Sequence, residues 1–302
     1  MARIPGITIV IPVHNRARIV GSTLKSVREQ TLRPLRVILV DNGSTDDTHD
    51  VLEQWRCETE GDLNVSIITE TAPGAAAARN AGLARVETEW TMFFDSDDTM
   101  APEHCQRALC AANDGVDVVG WDVRYYDGKH KTVLPFYTTD AQYHNLFHGS
   151  MSTQRYMART ELFRNAGGWS ASVRYWDDIE LGARILQQNP RIRKIKGKPT
   201  VTMFHNDESI TGTSYSSRTE RAAHALQCIA GTLGPERRRW VDVKHTIFAA
   251  DCARESSQEG GKIYQEILAD NTSAGIRLLL RAVYLYRRAG GRGVARLIRI
   301  LL

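Results

Sequence analysis

The sequence predicts an α/β fold, a doubly wound sheet flanked by helices, with a helical C-terminal extension. Three observations support this prediction. β-Branched runs typical of strands alternate with helical stretches through the first hundred residues, and polar residues follow each run. From Ser217 onward the pattern becomes helical. Alternating strands and helices are typical of a mainly parallel sheet, in which ligands bind at the carboxyl ends of the strands.

Four apolar runs predict the strands of the first hundred residues. They lie within ITIVIPV (7–13), RVILVDNGSTDD (36–47), NVSIITE (64–70) and EWTMFFDSDD (89–98). Helices are predicted between them, over Ala17–Gln30, Asp46–Trp55 and Gly74–Arg85. Ser44 or Thr45 would cap the second helix. In a parallel sheet the polar residues at the strand ends, among them His14, Asp41 and Asp95, meet at one edge.

The middle of the chain has a mixed pattern, and it leads to a predicted division into domains. VDVVGWDVRYYDG predicts a strand or hairpin, YMARTELFRNAGGW a strand and a short helix, WDDIELGARILQQN a helix, and TVTMFHND a further strand. We predict a first domain over residues 1–215, with halves of about 1–100 and 101–215. The helical extension over residues 216–302 is the second.

Composition places the chain among ordinary globular proteins. It has 302 residues, 42% of them hydrophobic and 25% charged, which is enough for a sizeable core. The five cysteines are odd in number and lack a CxxC pair, which favours free thiols in a reducing cytoplasm. The apolar start over residues 7–13 is too short for a transmembrane span and lacks the features of a signal peptide.

The net charge of +4 is concentrated at the C-terminus. Residues 271–302 contain seven arginines and no acid, so the first 270 residues carry a net charge of −3. Leucines and arginines alternate at near-helical spacing around Gly290 and Gly291, which predicts two basic amphipathic helices lying on an anionic membrane. A packed C-terminal helix or a homodimer interface remains an alternative. Nucleic-acid binding is not expected, because few aromatic residues are interleaved with the arginines.

The stretch MFFDSDDTM (92–100) crowds three acids, Asp95, Asp97 and Asp98, at the end of an apolar run. Like charges repel, so the cluster needs compensation. Mg²⁺ or Mn²⁺ would supply it, because these ions bind carboxylate oxygens and keep other positions for substrate phosphates. Neither GxGxxG nor GxxxxGK[ST] occurs, so the usual glycine-rich phosphate loops are absent. A solvated turn with a helix N-cap is the alternative.

Five segments together resemble the family-2 glycosyltransferases of the GT-A fold, across roughly residues 5–210. They are, in order, ITIVIPVHNR, VILVDNGSTDDT, GAAAARNAGL, WTMFFDSDDTM and WDDIELGARI. The resemblance implies a mixed, mainly parallel sheet and a metal-dependent inverting transfer of a hexosyl or N-acetylhexosaminyl group. The donor would be a nucleotide-sugar, with UDP favoured, bound by the first half of the first domain. The acceptor would be a hydroxyl of a glycan or lipid-linked glycan, bound by the second half.

The resemblance also implies which residues bind the donor. They are Pro12, Val13, His14, Asn15, Asp41, Arg79, Asn80, Asp95 and Ser96. Asp41 would accept an N–H of the base, and Arg79 would balance the diphosphate charge. Asp97 matches the metal ligand, and His205 a further metal ligand or diphosphate contact. For Asp41, Arg79 and His205 a purely structural role is the alternative, and the polar segment 206–216 is a candidate lid over the donor.

The catalytic residue implied by the resemblance is Asp178, in the stretch WDDIEL. It would take the proton from the acceptor hydroxyl as that oxygen attacks C1 of the sugar. Asp177 stands where family members often have Glu, a departure that leaves its own role open. Both acids also suit the first turn of a helix, whose dipole favours negative charge. Trp169 would stack on an acceptor sugar or belong to the core.

Three functions follow from these predictions. The first is the glycosyltransferase, acting in cell-surface polysaccharide synthesis from the inner face of the cell membrane. The second is a nucleotidyltransferase, which is disfavoured because PVHNRA is not a glycine-rich loop bearing Lys or Arg. The third is a non-catalytic nucleotide-sugar-binding or membrane-anchored scaffold protein. Retention of both Asp97 and Asp178 argues against the third.

Overall fold

A computed structural model of the chain describes residues 4–205 and 214–299. The chain forms two compact units, each described here by itself. The sheet unit consists of Met1–Ala141, Ser150–Ser172 and Arg184–Asn206, and the helical unit of Gln142–Gly149, Val173–Ala183 and Asp207–Leu302. The predicted sequence domains, divided after residue 215, remain a prediction. The proposed lid falls largely on residues 206–213, which lie outside the described residues.

The strands lie in the sheet unit and include all four predicted from the first hundred residues. In chain order they are β1 (Ile4–Val13), β2 (Arg36–Asp41), β3 (Asn64–Thr69), β4 (Thr88–Phe93), β5 (Thr99–Met100), β6 (Val118–Gly120), β7 (Val123–Tyr126), β8 (Lys131–Leu134), β9 (Tyr156–Arg159), β10 (Ile192–Lys194) and β11 (Val201–Phe204). The predicted strands of the middle segment correspond to β6, β7, β9 and β11. Periodicity in the sequence therefore located eight of these strands, whereas β5, β8 and β10 were not predicted.

The predicted helices are present, with one error at a helix start, but the helices over His104–Ala111 and Ala141–His148 were not predicted. They are α1 (Val20–Arg28), α2 (Thr48–Glu58), α3 (Ala75–Ala84), α4 (His104–Ala111), α5 (Ala141–His148), α6 (Thr160–Asn165), α7 (Asp177–Gln187), α8 (Thr219–Leu233), α9 (Arg238–Glu255), α10 (Ser257–Asp270), α11 (Ala274–Arg288) and α12 (Val294–Ile298). The prediction that Ser44 or Thr45 caps α2 was wrong. The helix begins at Thr48, whose backbone N–H donates to Asp46 Oδ1 at 3.1 Å.

The main sheet is mixed and mainly parallel, as predicted. Its strand order is β10-β6-β9-β4-β1-β2-β3, and a smaller sheet has the order β5-β11-β7-β8. β1 pairs in parallel with β2 and β4, whereas β9 runs antiparallel to β4 and β6. The chain proceeds from β1 to β2 and β3 on one side and returns to β4 on the other. The carboxyl ends of β1 and β4 thus flank a topological switch point, where ligands bind in such sheets.

A continuous apolar core lies on both faces of the main sheet. Ile9 and Ile11 of β1 point to one face and Thr8 and Val10 to the other, and all four are buried, as expected for a central parallel strand covered on both faces. On α3, a Cβ added at Gly82 would come within 2.3 Å of Val10 Cγ1. Because Gly82 has no Cβ, α3 can approach β1 closely, and this contact fixes the position of the polar residues at the start of α3.

The helical unit has its own core, formed largely by α8, α9, α10 and α11. Phe248, Ile263 and Leu280 are buried there, and the rings of Tyr264 and Tyr284 stack with centroids 4.0 Å apart. The helices therefore form an apolar cluster of their own rather than a loose tail.

All five cysteines of the chain are free thiols, as predicted.

Gly260→Ala is expected to lower the free energy of unfolding by about 2 kcal/mol, because the site is overpacked by any side chain. A Cβ at Gly260 would lie 2.3 Å from the backbone nitrogen of Ala253 and 2.5 Å from the carbonyl oxygen of Ala249. Gly261→Ala is the matched control, since a Cβ there meets nothing within 4 Å. It is expected to stabilise the helix by up to about 1 kcal/mol. Urea unfolding of both variants checks this, and equal midpoints would contradict it.

Candidate active site

β1 ends at the edge of the sheet where a ligand is predicted to bind. Pro12 lies in this strand although it has no N–H to donate. The nitrogen of Pro12 points to the same side of β1 as the carbonyl of Val10, which accepts from the N–H of Phe94 at 3.0 Å. Because β4 ends at Phe93, the missing N–H of Pro12 costs the sheet no hydrogen bond. Val13 is the last residue of β1 and pairs with Asp41 of β2. The chain therefore leaves the sheet directly at the predicted nucleoside loop.

The loops that follow β1 and β2 are joined by hydrogen bonds. His14 Nδ1 lies 2.8 Å from the carbonyl oxygen of Asn42. Asn15 adopts a φ of 51°, which Asn tolerates better than most residues. Its Oδ1 accepts the N–H of Thr45 at 2.8 Å, and its own N–H donates to Ser44 Oγ at 3.0 Å. Ser44 and Thr45 are thus held by Asn15, which explains why neither caps α2.

Asp41 is buried and bonded within its own turn. Its Oδ1 accepts the N–H of Ser44 at 3.1 Å, and its Oδ2 lies 3.2 Å from His49 Nδ1. The following Asn42 donates to the carbonyl oxygens of Glu70 (2.9 Å) and Ala72 (2.7 Å). Asp41 therefore has the structural role that was its alternative. A carboxylate can accept further hydrogen bonds, so recognition of a base by Asp41 remains a prediction.

A partly buried ion pair joins the start of α3 to the end of β4. Arg79 is buried, and its Nη2 donates to Asp95 Oδ1 at 2.9 Å. The guanidinium carbon lies 4.3 Å from the ring centroid of Trp169, a cation–π contact. Trp169 is only 3% exposed, so its ring belongs to the core. Asp95 Oδ2 also accepts from Gln154 Nε2, a partner that no local pattern in the sequence indicated.

Asn80 is committed to the backbone of Trp169. Its Nδ2 donates to the carbonyl oxygen of Trp169, and its Oδ1 accepts the N–H of the same residue, both at 2.8 Å. Gly168 permits this approach, because a Cβ there would lie 2.5 Å from Asn80 Oδ1 and its φ is +70°. Asn80 thus positions the backbone of Trp169, and contact of Asn80 with a donor remains a prediction.

The three acids at the end of β4 have different environments. Asp95 and Asp97 are half-buried, whereas Asp98 is only 3% exposed. Ser96, which lies between the first two acids, is buried. Asp98 Oδ1 accepts the N–H of Phe204 at 2.9 Å, which links the turn to β11. Burial, followed by the charges of Asp95 and Asp97, raises the pKa of Asp98 well above its ordinary value. Asp98 therefore supports the turn, and the excess negative charge is a property of the whole cluster.

His205 follows directly after β11 and is exposed. Its Nδ1 lies 2.9 Å from the hydroxyl of Tyr125, and its N–H donates to the carbonyl oxygen of Tyr126 at 2.8 Å. Because the preceding residue, Phe204, is bonded to Asp98, the chain places His205 beside the acid cluster. No pattern in the sequence indicated Tyr125 as a partner of His205, because Tyr125 lies on a different strand.

The side chains at the end of β4 and after β11 suit a divalent cation that takes most of its ligands from the phosphates of a bound substrate. Across residues 4–205 and 214–299, no three His, Cys, Asp or Glu side chains converge as a ready metal site. Mg²⁺ and Mn²⁺ do not require one, because one or two protein ligands suffice when phosphates supply the others. Asp97 and His205 are residues of the types that can supply these one or two ligands. Burial is the main cause of the raised pKa of Asp98, and the charges of Asp95 and Asp97 add to it; a cation would offset this second contribution.

Asp178 lies in the helical unit, in the first turn of α7. Its Oδ1 accepts the N–H of Ile179 at 2.8 Å. Asp177 and Glu180 share the same turn, so the helix start carries three acids, as the helix dipole favours. The preceding Trp176 has a φ of 54°, which is rare and strained for a bulky residue. Strain of this kind is common where a functional side chain is held in place.

The mixed sheet, with acid clusters after β4 and at the start of α7, defines the fold as that of the GT-A glycosyltransferases. The chain belongs to glycosyl transferase family 2, because the family model matches residues 8–174, more than half of the chain. Both predictions, of fold and of family, are therefore confirmed.

The chain is similar to proteins and structures that carry glycosyltransferase names. An uncharacterized glycosyltransferase of Haemophilus influenzae is 27% identical over 282 residues, covering 88% of this chain and 91% of that protein. One from a Nostoc species is 32% identical over 129 residues, covering 42% of this chain. The match covers 39% of the length of this Nostoc protein. It covers 33% and 59% of the length of two relatives from Bacillus subtilis.

Two solved structures support the same fold. Staphylococcus aureus TarS 1-349 in complex with UDP has a TM-score of 0.58 and 18% identity, covering 98% of this chain and 92% of that chain. The mannosyltransferase PcManGT of Pyrobaculum calidifontis, in complex with GDP-Man and Mn²⁺, has a TM-score of 0.60 and 19% identity, covering 98% of this chain and 87% of that chain.

Proposed function

We propose that the protein is a metal-dependent inverting glycosyltransferase that moves a hexosyl or N-acetylhexosaminyl group from a UDP-sugar to a hydroxyl of a glycan or lipid-linked acceptor. The observation that carries the proposal is the pair of the buried Arg79 with the half-buried Asp95, beside the half-buried Asp97, at the switch point of the sheet. A buried cation beside clustered acids suits a diphosphate and its metal ion. The complexes of TarS with UDP and of PcManGT with GDP-Man and Mn²⁺ support the assignment.

The residues of the chain divide the work of the reaction. The loops after β1 and β2 would hold the nucleoside, and Arg79 would balance the diphosphate charge. Asp97 and His205 would hold the cation, which when bound neutralises the leaving diphosphate. Asp178 would accept the proton of the acceptor hydroxyl as its oxygen attacks C1 from the face opposite the diphosphate. Attack from that face inverts the anomeric carbon.

The proposal is tested first by calorimetric titration of UDP into the purified protein, with Mn²⁺ and then with EDTA. We expect binding that requires the metal, followed by turnover of one member of a UDP-sugar panel. GDP, dTDP and CMP extend the test to the other bases, since Asp41 alone does not fix the nucleotide. Silence from all four nucleotides would sink the transferase proposal. Metal-dependent binding without turnover of any sugar would instead favour the non-catalytic binding protein.

We also propose that the C-terminal helices bring the enzyme to the inner, anionic face of the cell membrane, where polysaccharide acceptors are assembled. One face of α11 packs into the helical unit through Leu280, Val283 and Tyr284. The other face is exposed, with Leu278 at 70%, Leu285 at 54% and Tyr286 at 46%. Exposed arginines flank these side chains, at positions 277, 281 and 288. No helix among the described residues is long and apolar enough to cross a membrane.

Replacing Arg277, Arg281 and Arg288 by Gln is expected to weaken binding to anionic vesicles by roughly a hundredfold, since each arginine contributes about 1 kcal/mol at such a surface. Co-sedimentation with phosphatidylglycerol vesicles measures the effect, and pure phosphatidylcholine is the reference. Arg287 is left in place, because its guanidinium is paired with Asp251.

The matched control replaces Arg85, Arg193 and Arg254, which are exposed elsewhere, and changes the net charge equally. Binding that falls equally in both triple variants would contradict a specific docking face. Light scattering during gel filtration tests the homodimer, and a dimer that the α11 variant dissociates would assign the face to a second copy of the chain.

A further inference from the structure

A cavity of about 390 Å³ lies within the helical unit, apart from the predicted donor residues. Its walls are largely aromatic, formed by Tyr175, Trp176, Tyr215 and Phe248. The rings of Trp176 and Phe248 meet edge to face with centroids 5.7 Å apart, and those of Tyr215 and Phe248 at 5.6 Å. Walls of this kind suit the C–H faces of a sugar ring, and the volume suits a small ligand.

One cation in the lining of the cavity, Lys244, has no direct hydrogen bond or ion pair among the described residues. Asp251 is paired with Arg287 through two hydrogen bonds, of 2.7 and 2.9 Å. Lys244 is half-buried, and its ammonium nitrogen lies 4.7 Å from the ring centroid of Trp176. No hydrogen bond or ion pair of Lys244 occurs within residues 4–205 and 214–299. A half-buried ammonium with only an aromatic ring as partner is costly and attracts an anion.

The electrostatics connect this cavity to Asp178. Burial lowers the pKa of Lys244 to about 8, while Asp178 and then Asp251 act in the opposite direction. Asp178 also contributes to the raised pKa of Tyr175, whose main cause is burial. Lys244 and Tyr175 are thus close enough to Asp178 to respond to its charge. The cavity lies beside the carboxylate that is proposed to activate the acceptor.

The backbone at Trp176 supports a functional role for the cavity. Its φ of 54° is strained, costing about 1 to 3 kcal/mol for a residue with a bulky side chain. This conformation places the indole in the cavity wall, against Lys244, one residue before α7 begins. Strain persists only where surrounding structure enforces it, and it clusters at ligand sites.

We propose that the cavity binds an anionic sugar unit of the acceptor, a pyranose that carries a carboxylate or a phosphate. The anionic group is held by the ammonium of Lys244, and the ring packs on Trp176 and Tyr175. Assignment of this unit to the acceptor rests on the proposed function, because it depends on Asp178 as the base. Binding itself depends only on the cavity. Lys244 thus determines specificity for charged over neutral acceptors.

The test is calorimetric titration of the full chain with methyl β-glucuronide, glucose 6-phosphate and, as the neutral match, methyl β-glucoside. We expect at least one anionic probe to bind roughly tenfold or more tightly than the glucoside, as expected for a hydrogen bond to a charged group. Preference for the glucuronide identifies a carboxylate acceptor, and preference for the phosphate a phosphorylated one. Equal affinities, or no binding of any probe, would overturn the proposal.

Two substitutions separate Lys244 from a general effect on the fold. Lys244→Met is expected to remove the preference for the anionic probe and to leave the glucoside unaffected, whereas Lys244→Arg retains the preference. Without ligand, Lys244→Met should melt at or above the wild-type temperature, because for this ammonium the cost of burial outweighs the attraction of Asp178 and Asp251. A clear fall in melting temperature would assign Lys244 a structural role and contradict the proposal.

A separate titration distinguishes failure of this inference from failure of the proposed function. UDP with Mn²⁺ is titrated into wild type and into Lys244→Met, and equal affinities are expected, since Lys244 is not assigned to the donor. UDP binding without probe binding would sink the inference alone. Probe binding without UDP binding would leave the cavity as an anionic sugar site and remove its link to glycosyl transfer.

Discussion

Asp178→Asn is expected to lower the rate of donor turnover by about a thousandfold while leaving UDP affinity unchanged, because an amide cannot accept the proton that a general base takes. The substitution retains an oxygen that can accept the N–H of Ile179, so the start of α7 is preserved. The reaction to follow is slow hydrolysis of the donor sugar, with water in place of the acceptor. Release of UDP then reports turnover before the acceptor is identified.

Asp177→Asn is the matched control for this experiment. Both carboxylates lie in the first turn of α7, so both substitutions remove one favourable interaction with the helix dipole. Asp177→Asn is expected to change turnover by less than about fivefold, since a single interaction with the helix dipole typically contributes at most about 1 kcal/mol. Equal losses in the two variants would show that the turn needs charge and that neither acid is the base.

Asp97→Asn is expected to weaken UDP binding in the presence of Mn²⁺ by roughly a hundredfold, because it removes the charged partner of the cation. The variant should bind UDP with similar affinity in Mn²⁺ and in EDTA. The same calorimetric titration that tests the proposed function measures this. An unchanged response to Mn²⁺ would exclude Asp97 as a ligand.

Asp98→Asn provides the control beside it in the sequence. Asp98 is buried, its pKa is raised, and its Oδ1 accepts the N–H of Phe204, a bond that Asn can also form. We therefore expect Mn²⁺-dependent binding of UDP within about threefold of wild type. Loss of binding in this variant and not in Asp97→Asn would reverse the assignment of the two acids.

Local pattern in the sequence determined much of the fold. The strands β1 to β4 were predicted because each is a short β-branched run, and their polar ends lie at one edge because parallel strands share a direction. The helices of the extension were predicted for the same reason, since apolar periodicity depends only on neighbouring residues. The family followed from five such segments in a fixed order.

Only the tertiary structure decided which partner each polar side chain has. The sequence did not predict that Asp98 bonds to Phe204, that Gln154 donates to Asp95, or that Asn80 holds Trp169. Nor did it predict that Ser44 and Thr45 are held by Asn15 instead of capping α2. These partners lie far apart in the chain or compete for the same donor, and periodicity contains no information about such contacts.

The cavity around Lys244 shows the same limit most clearly. Trp176 and Lys244 lie 68 positions apart in the sequence, and although Trp176 begins the segment WDDIELGARI, Lys244 belongs to no motif that the sequence showed. Packing of the helices brings the ammonium of Lys244 over the indole of Trp176. Burial removes the water that would otherwise screen the charge of this ammonium. The sequence by itself thus determined the family through local motifs. The tertiary structure decided which charges are compensated, because compensation depends on distance and burial in space.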